Sequence, residues 1–169
     1  KQEWWKFHVK SRADIVGMDG SIITSPKVWE ASGHLDSFQD IMIECQNCHE
    51  RYRADILIED TLKKRADNLN QKQIDSLIKK NRVKCPNCNK SNFSNASPFN
   101  LMFQTTIGPK KDNETRAYLR PETAQLIFTN FKLIHENARL KLPFGIAQIG
   151  KSFRNEISPR NFLFRAREF

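Results

Sequence analysis

No apolar run in the 169 residues is longer than four, whereas a helical membrane span needs about 20. The opening Lys1-Gln2-Glu3-Trp4-Trp5 lacks the short apolar core and small-residue cleavage site of a secretory leader. A cytoplasmic protein with no membrane partner is the expectation. There is no internal repeat and no low-complexity tract, and cysteine is confined to four residues. What is present is apolar bulk: 12 Phe, 38% hydrophobic residues and 28% charged ones, a balance that excludes wholesale disorder. The length and the 19.7 kDa mass fit one domain, or one domain carrying a sizeable insertion. Residue 1 is not Met, and the strand-like run Phe162–Phe169 ends with no turn or cap after it. A piece of a larger chain is therefore expected.

The net charge of +9 is unevenly spread. Residues 1–44 sum to −2, residues 45–92 to +5, residues 93–138 to +1 and residues 139–169 to +5. Two basic blocks suit a polyanion such as nucleic acid or nucleotide phosphate. Solvated helix faces are the plainer alternative.

Residues 1–12 read as a helix end, with Trp4, Trp5, Phe7 and Val9 as apolar bulk and Trp4, Trp5 and Trp29 as core. Ile15 to Trp29, broken by Gly17, Gly20 and Pro26, reads as strand–turn–strand. Ala31-Ser32-Gly33-His34 reads as a turn. Helices are expected over Ile56–Asn68 and from Asn70, an N-cap with Gln73 as its capping-box partner and Ile74, Leu77 and Ile78 on one face. Ser91–Pro98 and Pro109–Thr115 read as loops, and Leu101–Thr106 as a strand. Pro121 is expected to open the strongest helix, its apolar stripe being Ala124, Ile127, Phe128, Phe131, Ile134 and Ala138, and Pro143 to close it. Gly145–Ile157 and Asn161–Phe169 read as two strands of a hairpin turning at 158–161.

Three groups of residues carry chemistry. Cys45-Gln46-Asn47-Cys48 and Cys85-Pro86-Asn87-Cys88 are two Cys-x-x-Cys knuckles that use every cysteine. Two such knuckles complete a tetrahedral four-thiolate zinc site with no open position, hence structural; free thiols or redox pairs are the alternative. His49 beside the first pair reads as a surface residue. On the hairpin, alternate residues share a face, so Arg154 and Glu156, with Ser152 and Gln148, point one way, roughly 7 Å apart at about 3.3 Å per residue. Phe153, Ile157 and Ile149 take the other side. Arg165, Arg167 and Phe169 share a face on the second strand, Arg165 and Phe169 about 13 Å apart. A guanidinium, a carboxylate and a ring so placed fit phosphates at one end and an aromatic base at the other; a cross-strand ion-pair ladder is the alternative. The third group is Arg120-Pro121-Glu122-Thr123-Ala124-Gln125. Glu122 suits the helix dipole or a substrate ammonium. Arg53 reads as surface charge.

Together these motifs resemble the class II aminoacyl-tRNA synthetases, and within them the dimeric, single-polypeptide glycyl-tRNA synthetases. Motif 2 of the class is an aromatic-Arg-x-acidic group, a loop, then Arg-x-x-x-Phe; here it reads Phe153-Arg154-Asn155-Glu156, Ile157–Phe164, then Arg165-Ala166-Arg167-Glu168-Phe169. Trp4-Trp5, Val28-Trp29-Glu30-Ala31-Ser32-Gly33-His34, Phe99-Asn100-Leu101-Met102-Phe103, Leu119–Gln125 and Lys141–Gly150 extend the likeness over the whole chain. The resemblance implies an α/β (α+β) catalytic domain with a mixed, mainly antiparallel sheet flanked by helices. Residues 1–44 would be the motif 1 part of the core, 45–92 a Cys-paired helical insertion and 93–169 the core with the motif 2 hairpin. Motif 3 and the anticodon-binding domain lie outside the chain. It also implies ATP-dependent ligation of glycine to tRNA(Gly) through glycyl-adenylate, with Mg²⁺ on the triphosphate, Zn²⁺ on Cys45, Cys48, Cys85 and Cys88, and a homodimer.

By the same resemblance Arg154 holds the α-phosphate in the transition state. Asn155, Glu156, Phe164, Arg165, Ala166, Arg167, Glu168 and Phe169 line the ATP site; within it Glu156 accepts from the adenine amine, Phe169 stacks on adenine and Arg165 meets the triphosphate. Glu122, Arg53 and Phe169 are on the glycine side, and Arg160 is near the tRNA acceptor end. Family members commonly have Gly where this chain has Leu126, which either packs in the core or narrows the site. This piece alone is expected to be inactive. Two other readings are a non-catalytic zinc-ribbon RNA-binding module and an inactive synthetase-like accessory subunit. The Arg154/Glu156 face speaks against the first, and the presence of Arg154, Glu156, Glu122 and Phe169 together speaks against the second.

Overall fold

A computed structural model describes residues 1–109, 115–159 and 166–169. In chain order the elements are α1 (Gln2–Trp5), which widens into a π-helical turn over Lys6–Lys10, β1 (Ile15–Gly17), β2 (Ile23–Thr24), α2 (Pro26–Ala31), α3 (His34–Ser37), β3 (Gln39–Glu44), β4 (Arg51–Arg53), α4 (Ala54–Leu62), α5 (Gln71–Lys80), β5 (Ser97–Asn100), β6 (Gln104–Thr106), β7 (Arg116–Leu119), α6 (Ala124–Ala138) and β8 (Gly145–Ala147). They fall into two units. The first comprises Lys1–Asp36, Met102–Arg154 and Arg167–Phe169; the second comprises Ser37–Leu101 and Asn155–Ala166.

The first unit is mixed α/β. β2, β7 and β6 form an antiparallel sheet in the order β2-β7-β6, and β1 pairs with β8 in parallel, Val16 opposite Ile146. Trp29 is its largest fully buried side chain, and Ala117, Tyr118 and Leu126 are buried in the same unit. Val28 and Trp29 lie in a helix and not in the expected strand, because Ser25 caps the turn by accepting from Lys27 N–H at 3.4 Å and Pro26 takes the first helical position. α6 begins at Ala124, three residues after Pro121, which is itself buried. Only Leu126 on α6 is buried; of the expected stripe, Phe128 (72% exposed), Phe131 and Ala138 are exposed, while Ala124, Ile127 and Ile134 are half-buried. Trp4, expected in the core, is 44% exposed and stacks near His8. The run 145–157 is not one strand: β8 stops at Ala147, and a separate short stretch, Ser152–Arg154, pairs antiparallel with Arg167–Phe169, Phe153 opposite Glu168.

The second unit is an antiparallel sheet in the order β4-β3-β5 covered by two helices. Its core gathers Ile43, Ala54, Leu57, Ile58, Ala66, Ile74, Ile78, Val83 and Ala96. α4 stops at Leu62, short of the expected Asn68, because Lys63 turns left-handed (φ 54°). α5 starts on the expected capping box: Asn70 Oδ1 accepts from Gln73 N–H at 3.0 Å, and Gln73 Oε1 from Asn70 N–H at 2.9 Å. Pro98, expected in a loop, lies in β5, where its missing N–H falls on an outer strand of the sheet.

Candidate functional site

The two cysteine knuckles fold alike in the second unit. His49 N–H donates to Cys45 O at 2.8 Å and Cys45 N–H to Glu50 O at 2.9 Å. Asn89 N–H donates to Cys85 O at 2.9 Å and Cys85 N–H to Lys90 O at 2.8 Å. The residue after each pair takes a positive φ, 58° at His49 and 60° at Asn89. The knuckles bring Cys45 Sγ to 3.5 Å from Cys88 Sγ and Cys48 Sγ to 3.6 Å from Cys85 Sγ, and all four sulfurs lie within 4.8 Å of one another. A tetrahedral zinc ion with arms of about 2.3 Å asks for sulfur–sulfur edges of about 3.8 Å. The four thiols fit that ion, and four thiolates leave it no place for a substrate. His49 turns away to Glu44 at 3.1 Å.

The Tyr52 hydroxyl stands 3.3 Å from Cys85 Sγ. Burial by itself raises the Cys85 thiol, but hydrogen bonds from Tyr52 and from the N–H groups of Cys88 and Asn87 outweigh it and bring the pKa down to about 6. Burial beside these sulfurs pushes the Tyr52 phenol well above its ordinary range, so it remains a donor.

Arg53 lies at the junction of β4 and α4, where its guanidinium forks onto Asp55, Nε to Oδ1 at 3.2 Å and Nη2 to Oδ2 at 2.6 Å, and reaches Asp40 Oδ2 at 3.3 Å. The Asp55 bonds hold Arg53 above its ordinary pKa, with Asp40 and buried Glu156 adding to the pull. Burial raises the Asp55 carboxyl, and the fork from Arg53 with the Ile56 N–H more than reverses that. In the same unit Asn155 N–H donates to Leu101 O at 2.8 Å, and Ser158 Oγ donates to Arg51 O at 2.6 Å. Ala166 is half-buried.

In the first unit Arg154 and Phe169 lie on one face of the paired strands. The pairing sets Ser152 opposite Phe169 through two bonds of 2.8 and 3.0 Å, with Arg154 N–H donating to Arg167 O at 3.0 Å. The Arg154 guanidinium lies 5.4 Å from the centre of the Phe169 ring, which is 55% exposed. Its Nε also donates to Pro121 O at 3.3 Å, the carbonyl next to Glu122. Arg167 is exposed, and Glu168 pairs with Lys151 at 2.5 Å. Glu122 Oε1 lies 3.5 Å from His34 Nε2. Arg160, Phe164 and Arg165 lie outside the described residues.

Arg120 underpins this face from within. It is 1% exposed, and its Nε donates to Lys151 O at 2.7 Å and its Nη1 to Gly20 O at 2.6 Å. Its own carbonyl accepts from Phe153 N–H at 2.9 Å, and its N–H donates to Ile22 O at 2.9 Å. It ties the residues before Glu122 to the strand that carries Arg154.

Sequence reasoning missed four of these residues. Asp40 and Asp55 gave no signal beyond ordinary acidic residues, Tyr52 none beyond its nearness to the first knuckle, and His34 was read only as part of a turn. The partner of each is fixed by folding; His34 and Glu122 are far apart in the chain.

No family model matches the chain. It is 52% identical over 171 residues to a glycine–tRNA ligase of Ureaplasma urealyticum, 50% identical over 174 residues to one of Geobacillus kaustophilus and 51% identical over 172 residues to one of Malacoplasma penetrans. In each case the whole of this chain is matched, and it spans 36–38% of the relative's length. With every one of its residues inside such a match, the chain corresponds over its full length to a part of these glycine–tRNA ligases.

Proposed function

We propose that the chain is part of a class II catalytic domain that activates glycine with ATP and passes it to tRNA(Gly). The observation that carries this reading is the Arg154 guanidinium bonded to the Pro121 carbonyl, one residue from the Glu122 carboxylate. Amino-acid activation needs a site for an ammonium beside a cation for the α-phosphate, because the carboxylate of the amino acid is the nucleophile. Glu122 takes the ammonium. The carboxylate oxygen forms a bond to the α-phosphorus, the bond to the bridging oxygen breaks, and pyrophosphate leaves with the electron pair. Arg154 meets the charge that builds on the α-phosphate oxygens, and its rigid anchoring limits reorganisation as that charge develops. Phe169 offers its exposed face to adenine, Glu156 accepts from the adenine amine, and Asn155, Phe164, Ala166, Arg167 and Glu168 line the same nucleotide. Arg165 contacts the triphosphate, whose Mg²⁺ neutralises charge on the leaving pyrophosphate when bound. Arg53 stands on the glycine side and Arg160 near the tRNA acceptor end. Cys45, Cys48, Cys85 and Cys88 hold a structural Zn²⁺, and the whole enzyme is a cytoplasmic homodimer.

The test is glycine-dependent exchange of pyrophosphate into ATP by the full-length protein. Arg154→Ala is expected to lower the exchange rate by about 10²-fold or more. Exchange at the wild-type rate in that variant overturns the assignment of Arg154.

A further inference from the structure

Arg120 is a sealed guanidinium with no acidic partner. It is 1% exposed, and among the described residues no carboxylate forms an ion pair with it. A buried cation without a counter-charge is less favourable than an apolar side chain of similar volume, so filling space does not account for it. Acceptors from separate stretches of the chain stand in for the counter-charge. Nε donates to Lys151 O at 2.7 Å and Nη1 to Gly20 O at 2.6 Å. With its amide turned to suit these donors, Gln148 adds a third: its Oε1 accepts from Arg120 Nη1 at 2.7 Å and from Gly20 N–H at 3.1 Å. Nη2 lies over Gly150, where even a Cβ would collide with it. The planar fork holds these acceptors at set angles, which a lysine ammonium does not.

From this anchor to the residues assigned to the substrates the path is short and stiff. Residue 121 is a fully buried proline, whose ring locks its φ. The residue before a proline is itself confined to extended backbone. Few soft dihedrals therefore separate the anchored Arg120 from Glu122. On the other side, Phe153 N–H donates to Arg120 O at 2.9 Å, and the next residue, Arg154, donates from Nε to Pro121 O at 3.3 Å. Glu122 and Arg154 thus take their spacing from one node.

We propose that Arg120 is a positioning residue for adenylate formation. It is buried away from both substrates, and it fixes the distance between the carboxylate that takes the ammonium and the guanidinium that meets the α-phosphate. The proposal rests on Glu122 and Arg154 having those roles. Each substrate alone meets its own side of the node. Loosening the node leaves separate binding nearly intact and misplaces the glycine carboxylate relative to the α-phosphorus. A misplacement of about 1 Å lowers a rate by about 10²-fold.

The experiment uses the full-length enzyme. Pyrophosphate exchange gives kcat. Calorimetry gives dissociation constants for glycine, for ATP and for a sulfamoyl analogue of glycyl-adenylate, which spans both sites at a fixed length. Arg120→Lys keeps the charge and gives up the fork. It is expected to lower kcat by about 10- to 10²-fold, to shift the glycine and ATP constants by less than about threefold and to weaken the spanning analogue by about tenfold or more. The number of analogue molecules bound per chain, read in the same titration, is expected to stay at the wild-type value. Gln148→Leu removes one acceptor and is expected to give the same pattern with a smaller loss; it serves as the test if Arg120→Lys does not fold. Wild-type kcat in the variant that folds overturns the proposal. So do glycine and ATP constants that shift as much as the analogue's, and so does a lower number bound with unchanged constants, which is the mark of a merely structural role. If the wild-type enzyme shows no glycine-dependent exchange, the roles of Glu122 and Arg154 fail and the proposal with them. If it exchanges and the variant is unaffected, the proposal alone fails.

Discussion

Leu126 shows how one side chain fills the space that a glycine leaves. At this position, where the resemblance implies Gly, Leu126 is buried on the first turn of α6. A Cβ added at Gly20 would fall 2.8 Å from Leu126 Cδ1, so the leucine fills space that Gly20 leaves open. Leu126→Ala should cost about 2–5 kcal/mol of unfolding free energy, the range for truncating a buried leucine, read by denaturant unfolding. Gly150 is tighter still. A methyl there would meet Arg120 Nη2 at 2.1 Å, and that guanidinium is anchored by carbonyls at 2.6 and 2.7 Å and is unable to swing aside. Gly150→Ala is expected to destabilise by about 1–3 kcal/mol, as overpacking does, and, on the proposed reading of Arg154, to weaken ATP binding by disturbing the strand that leads to it. At Tyr52 the hydroxyl bonded to Cys85 stabilises the thiolate, so Tyr52→Phe should weaken zinc affinity. Competition against a chromogenic chelator measures this without any reference to turnover.

At the scale of elements, what was legible was local. The capping box of α5 involves two side chains three residues apart and its helix buries Ile74 and Ile78, so the segment carries its own instructions. Asn70→Ala should cost about 1 kcal/mol. α2 was misread as a strand because the apolar pair Val28-Trp29 fits either element, and the Ser25 cap with Pro26 decided it. On α6 the helical period was correct, but a stripe of apolar residues does not say whether anything lies against it. The β4–α4 junction gives a pH prediction. Asp55, held below its ordinary pKa through Arg53, adds stability that is present above the unfolded value of about 3.9 and is lost as pH falls through the lower folded value. Acid unfolding of the second unit should therefore set in less steeply in Asp55→Asn. Hydrogen exchange of the α4 and α5 amides is the readout.

At the scale of the whole molecule, the four-cysteine cluster ties together segments 37–43 residues apart in sequence. If the proposed zinc occupies this cluster, its removal by chelation or by Cys85→Ser should loosen the second unit, because binding free energy at such a site is folding free energy. Elemental analysis that finds no zinc in the wild-type protein would overturn the proposed metal site and leave the proposed adenylation site standing.

The sequence by itself determined the two knuckles, the capped start of α5 and the whole-chain likeness to glycine–tRNA ligases, because each is written in short spacings or in a long ordered series of identical residues. Only the tertiary structure decided which distant groups meet: His34 with Glu122, Tyr52 with Cys85, Arg53 with Asp40, and a buried Arg120 with the carbonyls of Gly20 and Lys151. These pairings depend on how the strands and turns bring remote backbone together, and no periodicity in the chain encodes that distance.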